Sequence, residues 1–157
     1  MQGPVAEGFL RVRPARIFEA LRGVVLRRSA GLSPQASQRI KELSELEKHW
    51  DGRNAQPIKM DALADATEVL IRLAQRSDYR EPFLVPTFDG FVQIEWHDQK
   101  RSFEIEAVSQ GWSLVGTSIG SEGTRQYFVA DCGRADFDEL EEFYSWFLGK
   151  ELLWPSK

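Results

Sequence analysis

The chain has 157 residues, 42 % hydrophobic and 28 % charged, with a formal net charge of -4, a balance that fits one globular domain and excludes a disordered or fibrous chain. No apolar run approaches the length of a membrane span and Gly23 to Leu26 is too short for a signal-peptide core, so a cytoplasmic location is expected. One cysteine, Cys132, and two histidines, His49 and His97, exclude an internal disulfide, a cysteine-based zinc site and a multi-histidine metal centre, and no cofactor is expected.

The charge is uneven. Residues 1–30 carry Arg11, Arg13, Arg16, Arg22, Arg27 and Arg28 against Glu7 and Glu19, a balance of +4, while the remainder holds 14 basic and 22 acidic side chains, a balance of -8. Residues 1–13 are expected to form a flexible basic arm and residues 14–157 one domain.

From Pro14 to Arg28 the spacing of Ile17, Leu21, Val24 and Val25 predicts a helix that Gly31 ends. Ser33 is a good N-cap and Pro34 suits a first turn, after which Ala36, Ile40, Leu43, Leu46 and Trp50 recur at helical spacing as far as about His49. Asp51 and Gly52 are turn residues, so 51–57 reads as a loop. A third helix is expected over Met60 to Arg76, with Leu63, Ala66, Leu70 and Leu73 inward and Asp61 and Asp65 near its positive end. Phe83 to Val85 reads as a short strand that Pro86 confines to an edge, and Asp89-Gly90 marks a turn.

Between Val92 and Val108 a period of two takes over. Val92, Ile94 and Trp96 alternate with Gln93 and Glu95, and Phe103, Ile105 and Ala107 alternate with Ser102, Glu104 and Glu106, which predicts a hairpin with one apolar and one polar face. Matching the apolar sides sets Trp96 against Phe103 and leaves Asp98 to Arg101 as the loop. The same register sets Glu95 against Glu104 and Gln93 against Glu106, and two facing carboxylates repel unless a proton or a cation joins them. A strand from Trp112 to Thr117 follows, with its inward face left open by the pattern, then a loop at Gly120 to Gly123 and a strand from Arg125 to Ala130. Asp136 and Glu139 form a capping-box-like start to a last helix, whose stripe is Phe137, Leu140, Phe143, Tyr144, Phe147 and Leu148. The class expected is α+β: N-terminal helices, an antiparallel meander of about five strands, and a C-terminal helix on the sheet.

Trp50-Asp51-Gly52, the run from Val85-Pro86-Thr87 through Asp89-Gly90, Gln93, Glu95 and Trp96, and Glu104-Ile105-Glu106 together resemble a group of small bacterial proteins. Those read W-D-G, then V-P-T-x-D-G-x-x-Q-x-E-W, then an E-I-E strand. The likeness spans roughly residues 40 to 108 and implies the fold and a bacterial, cytoplasmic setting, with no particular activity. Where the group often holds Ser at a helix start this chain has Lys59, which implies a weaker cap there.

The residue chemistry gives a leading expectation and two alternatives. A catalytic role is disfavoured: neither His97 beside Asp98 nor Cys132 has the partners of a nucleophilic triad, and Gly116 to Gly123 lacks the Gly-Lys-Ser/Thr of a phosphate loop. The leading expectation is a non-catalytic interaction module, accessory or antitoxin-like in the manner of immunity and defence proteins. Its partner would be another protein, such as one encoded in the same operon, or a second copy. The contacts expected are Glu95, Glu104 and Glu106 on the polar sheet face, Trp146 off the stripe of the last helix, and Leu152, Leu153 and Trp154 in the tail. One alternative is a metal-dependent phosphodiesterase or nuclease using Glu95, Glu104 and Glu106. The other is a nucleic-acid binder using Arg11, Arg13, Arg16, Arg22, Arg27 and Arg28.

Overall fold

The computed structural model describes residues 14–108, 111–133 and 136–151. Within them the elements run α1 Pro14–Ser29, α2 Pro34–Ser44, α3 Met60–Ala74, β1 Phe83–Pro86, β2 Val92–His97, β3 Arg101–Val108, β4 Gly111–Ile119, β5 Arg125–Gly133 and α4 Phe137–Phe147. The strands form one antiparallel sheet in the order β1-β2-β3-β4-β5. This is the α+β meander that the alternating patterns predict.

The expected hairpin register is present: Trp96 pairs with Phe103, Ile94 with Ile105 and Glu95 with Glu104. Val92, Ile94, Trp96, Phe103, Ile105 and Ala107 are buried, and the pleat carries that side on through Trp112 and Leu114 to Cys132. Trp96 stacks on Phe103 with centroids 5.7 Å apart and meets Tyr144 of α4 edge-on at 5.2 Å. Its indole N–H donates to the Arg80 carbonyl at 2.9 Å, and the Arg80 N–H donates to Tyr144 Oη at 2.8 Å. Two core aromatics thereby pin the link from α3 to β1.

Leu63, Ala66, Leu70 and Leu73 of α3 and Leu140, Phe143, Tyr144 and Phe147 of α4 share one buried cluster with the apolar side of the sheet. α1 packs on α2 and α3. Its buried face runs along Leu21 and Val25, whereas Ile17 and Val24 are exposed, so the contact face is rotated from the one the spacing suggested.

Boundaries differ from the pattern where tertiary bonds compete with local ones. α2 ends at Ser44, short of the expected His49, because residues 45–50 turn instead; His49 takes φ 68° and its N–H donates to the Ala55 carbonyl at 2.8 Å. α3 stops at Ala74, and Arg76 lies just past it. Asp131 to Gly133 belong to β5, where they pair with Ser113, Trp112 and Gly111. Asp136 makes no side-chain cap on α4; its carboxylate accepts instead from the Gly133 N–H at 3.1 Å.

α4 is fastened at both ends of its contact. Arg72 reaches Glu141 at 3.0 Å, and Arg76 binds both oxygens of Asp78 at 2.8 and 3.0 Å and the Ser145 hydroxyl at 2.9 Å. At the other side Phe128 of β5 stacks on Phe143 at 4.8 Å and meets Trp146 edge-on at 4.5 Å. That arrangement requires Gly116, since a Cβ there would stand 2.0 Å from the Phe128 ring. Gly116→Ala is expected to lower stability by about 1–3 kcal/mol through overpacking, measured by urea unfolding; an unchanged midpoint would refute the fit.

The guanidinium of Arg76 holds the Asp78 carboxyl down at about 2, below its ordinary value of 3.8. A depressed carboxyl stabilises the fold above the ordinary value and loses that contribution as pH falls toward 2. Asp78→Asn should therefore be less stable than the natural chain at neutral pH, by about 0.5–1 kcal/mol for a partly exposed pair. The two should converge in thermal melts as the pH is lowered through that window.

Candidate functional site

Alternation leaves a second sheet face on which no helix packs among the described residues. Its side chains are Gln93, Glu95 and His97 of β2, Ser102, Glu104 and Glu106 of β3, Ser113, Val115 and Thr117 of β4, and Tyr127, Val129 and Asp131 of β5. Glu104 occupies its centre, opposite Glu95 on one side and Val115 on the other. Burial raises its pKa above the ordinary carboxyl value, Glu95 and Glu106 raise it further, and His97 partly offsets them. The His97 Nε2 lies 3.1 Å from Glu95 Oε2, and the Gln93 side-chain amide donates to Glu106 at 3.3 Å. Ser102 and Thr117 join hydroxyls at 2.5 Å.

Two nearby sources of positive charge do not reach the acids. Arg101 turns to the helix side, where its guanidinium lies 4.9 Å from the Trp146 ring and bonds the Trp146 carbonyl. The basic helix α1 does not lie across the acids either: Arg22 binds Ser44 and Glu45, and Arg28 binds Glu68 of α3 at 2.5 Å. Arg16 and Arg27 are exposed on α1, while Arg11 and Arg13 lie outside the described residues. Among the described residues, no group of three or more His, Cys, Asp or Glu side chains is placed to hold a metal ion. Glu95, Glu104 and Glu106 thus form a charged platform rather than converging on one point.

Trp146 is half-buried and wedged between Phe128 and Arg101, rather than lying on the wet side of α4. Leu152, Leu153 and Trp154 lie outside the described residues. Exposed residues that composition did not single out flank the acids: Phe83 is 65 % exposed, Tyr127 66 % and Val129 68 %. Phe83 pairs with Glu95 across β1 and β2, and its ring lies 6.3 Å from that of His97. The signal for Tyr127 and Val129 was their odd numbering in β5, readable only once Phe128 and Cys132 are known to face inward.

The two sequence blocks behind the family resemblance come together as a clasp. Asp51 Oδ1 accepts from the backbone N–H groups of Arg53 at 2.9 Å and Ala55 at 3.1 Å, and the first of these bonds is the chief cause of its lowered pKa. Trp50 donates its indole N–H to the Gln56 carbonyl at 3.0 Å. In the second block the Thr87 hydroxyl donates to Asp89 at 2.5 Å and accepts from the Phe91 N–H at 2.9 Å. The Gln56 N–H then donates to the Phe88 carbonyl and the Lys59 N–H to the Gly90 carbonyl, both at 2.8 Å. Lys59 makes no side-chain cap on α3; its ammonium sits 4.0 Å over the Phe91 ring. These polar groups are engaged in holding two loops together, so the clasp is structural.

The remaining nucleophile candidate is unsuited to attack. Burial pushes the Cys132 thiol up to about 12, with Glu139, Asp136 and Asp131 adding to the shift, so the thiolate is scarce at neutral pH. No protein-family model, curated protein or solved structure matches the chain.

Two substitutions test these assignments. Gly90 takes φ +91° and a Cβ there would stand 2.6 Å from the Pro57 carbonyl oxygen, so Gly90→Ala should cost about 1–3 kcal/mol; a variant as stable as the natural chain in urea would contradict the clasp. A raised carboxyl pKa stabilises the fold at low pH and loses that contribution as pH rises through it. Glu104→Gln should hence gain about 0.2–1 kcal/mol at neutral pH by removing like-charge opposition, with the gain shrinking in melts taken below the ordinary carboxyl value.

Proposed function

We infer that the chain is a non-catalytic protein–protein interaction module, accessory or antitoxin-like, whose open sheet face receives a basic segment of another protein. The observation that carries this reading is the pairing of Glu95 with Glu104, flanked by Glu106, on a face that no helix covers among the described residues. Facing carboxylates lower stability, and a lysine or arginine side chain laid between them removes the repulsion that the isolated chain tolerates. Exposed Phe83, Tyr127 and Val129 give the same face apolar margins, the composition of a contact surface with a charged centre. Trp146 is spent on the chain's own sheet, which leaves the acidic face as the favoured one of the expected contacts among the described residues. Among the described residues no helix is long and apolar enough to cross a membrane.

A short lysine-rich peptide serves as the probe. Calorimetric titration should give binding that weakens with salt and falls at least tenfold in the Glu95→Gln/Glu104→Gln/Glu106→Gln variant. Because a cation draws Glu104 back toward the ordinary carboxyl range, binding near the ordinary value should also release protons into the buffer. Equal affinity in the natural and triple-variant chains would remove the acidic face as the site.

A further inference from the structure

The two edges of the sheet are treated differently by the chain. β1 is four residues long, ends in Pro86, and has its Leu84 carbonyl bonded by Arg39 Nε of α2 at 3.0 Å. Short length, proline and an occupied carbonyl are protections against strand addition. β5 is nine residues long, with no proline and no partner strand on its outer side among the described residues.

The backbone bonds show which β5 groups are free. The Ile119 N–H donates to the Lys100 carbonyl and the Gly120 N–H to the Thr124 carbonyl. Odd residues of β4 therefore bond toward β3 and even ones toward β5, because bonding direction alternates along an antiparallel strand. The register pairs even β4 residues with Gln126, Phe128, Ala130 and Cys132, which leaves the N–H and C=O groups of Arg125, Tyr127, Val129, Asp131 and Gly133 pointing away from the sheet. Gly133 is already satisfied: its N–H donates to Asp136 Oδ2 and its carbonyl accepts from the Asp136 N–H at 3.0 Å. Four consecutive odd residues remain, all exposed.

Those four form a self-complementary sequence. An antiparallel copy placed about a two-fold axis at Phe128 sets Arg125 opposite Asp131 and Tyr127 opposite Val129, twice each. Every free backbone group then meets a free group, in doubly bonded pairs. Arg125 and Asp131 have no ion-pair partner within the described residues, so each finds in the copy what it lacks in its own chain. Tyr127 and Val129, 66 % and 68 % exposed, cover each other on the open face. Moving the axis to Val129 would bring the satisfied Gly133 into the ladder and set Tyr127 against Asp131.

We propose that β5 is a homodimerisation edge at which two copies join their sheets into one antiparallel ten-stranded sheet, with Arg125–Asp131 pairs at both ends. The partner is a second copy of this chain, which is the occupant the charge order selects: a strand of unrelated sequence gains the backbone bonds but not the paired ends. The two acidic platforms would then lie on one continuous face, either side of a central Tyr127 and Val129 strip.

Sedimentation equilibrium of the full chain tests this, with no other protein present. The natural chain should be a reversible dimer, and Arg125→Asp or Asp131→Arg alone should weaken self-association at least tenfold by setting like charges opposite. Mixing the two single variants should restore a dimer, since each then presents the other's missing charge, and the Arg125→Asp/Asp131→Arg double variant should dimerise alone. Circular dichroism melts check that all variants fold. A natural chain that stays monomeric at its highest soluble concentration, single variants that dimerise like it, or a mixture that fails to associate would each overturn the edge assignment.

Discussion

The strict alternation of the sheet is the constraint on which the molecule depends. Trp96 against Phe103 commits one side of every strand to the core, and the same pairing commits Glu95, Glu104 and Glu106 to the other. Since α3 and α4 occupy only the apolar side, the opposite side is left as a broad polar surface with its like charges adjacent. Side-chain repulsion there is small beside the burial of Trp96, Phe103, Trp112 and Leu114, so the register is held by the core and the acids follow. Open face and crowded carboxylates are two outcomes of one geometric choice.

Much of this was legible in the residues. A period of two fixes which side of each strand faces the core, and only one alignment then sets all three apolar residues of one strand opposite all three of the other. Strand order followed from short connections. What local pattern could not supply were the ends and the neighbours. α2 was read too long because Leu46 and Trp50 keep helical spacing, yet the Trp50 indole and the His49 N–H are claimed by Gln56 and Ala55 across the loop. Trp146 lies off the apolar stripe of α4 and was read as wet; its burial comes from Phe128, a residue on a strand whose inward side depends in turn on Gly116. The basic residues of α1 that the charge count set apart are partly spent within the helical layer, Arg22 on Glu45 at the end of α2 and Arg28 on Glu68 of α3.

The motif blocks carry a different lesson. Trp50, Asp51, Thr87, Asp89 and Gly90 are polar, aromatic or glycine in loops, residue types that serve turn chemistry as well as ligand contact. In space their donors and acceptors are taken up by backbone groups of the two loops themselves. The loop parts of these blocks meet the exacting geometry of a loop junction, while Gln93, Glu95, Glu104 and Glu106 of the same blocks lie on the open sheet face.

The meander has one further effect, on how the chain reaches this state. Every strand pairs only with its neighbours in sequence, so the sheet can grow hairpin by hairpin with short loop closures, a low contact order for a β-rich core. β5 is the last strand in chain order, and α4, whose Phe143 and Trp146 hold Phe128, follows it. Until β5 pairs with it, the outer side of β4 is an unpaired edge, the kind of surface on which a folding chain can associate with another.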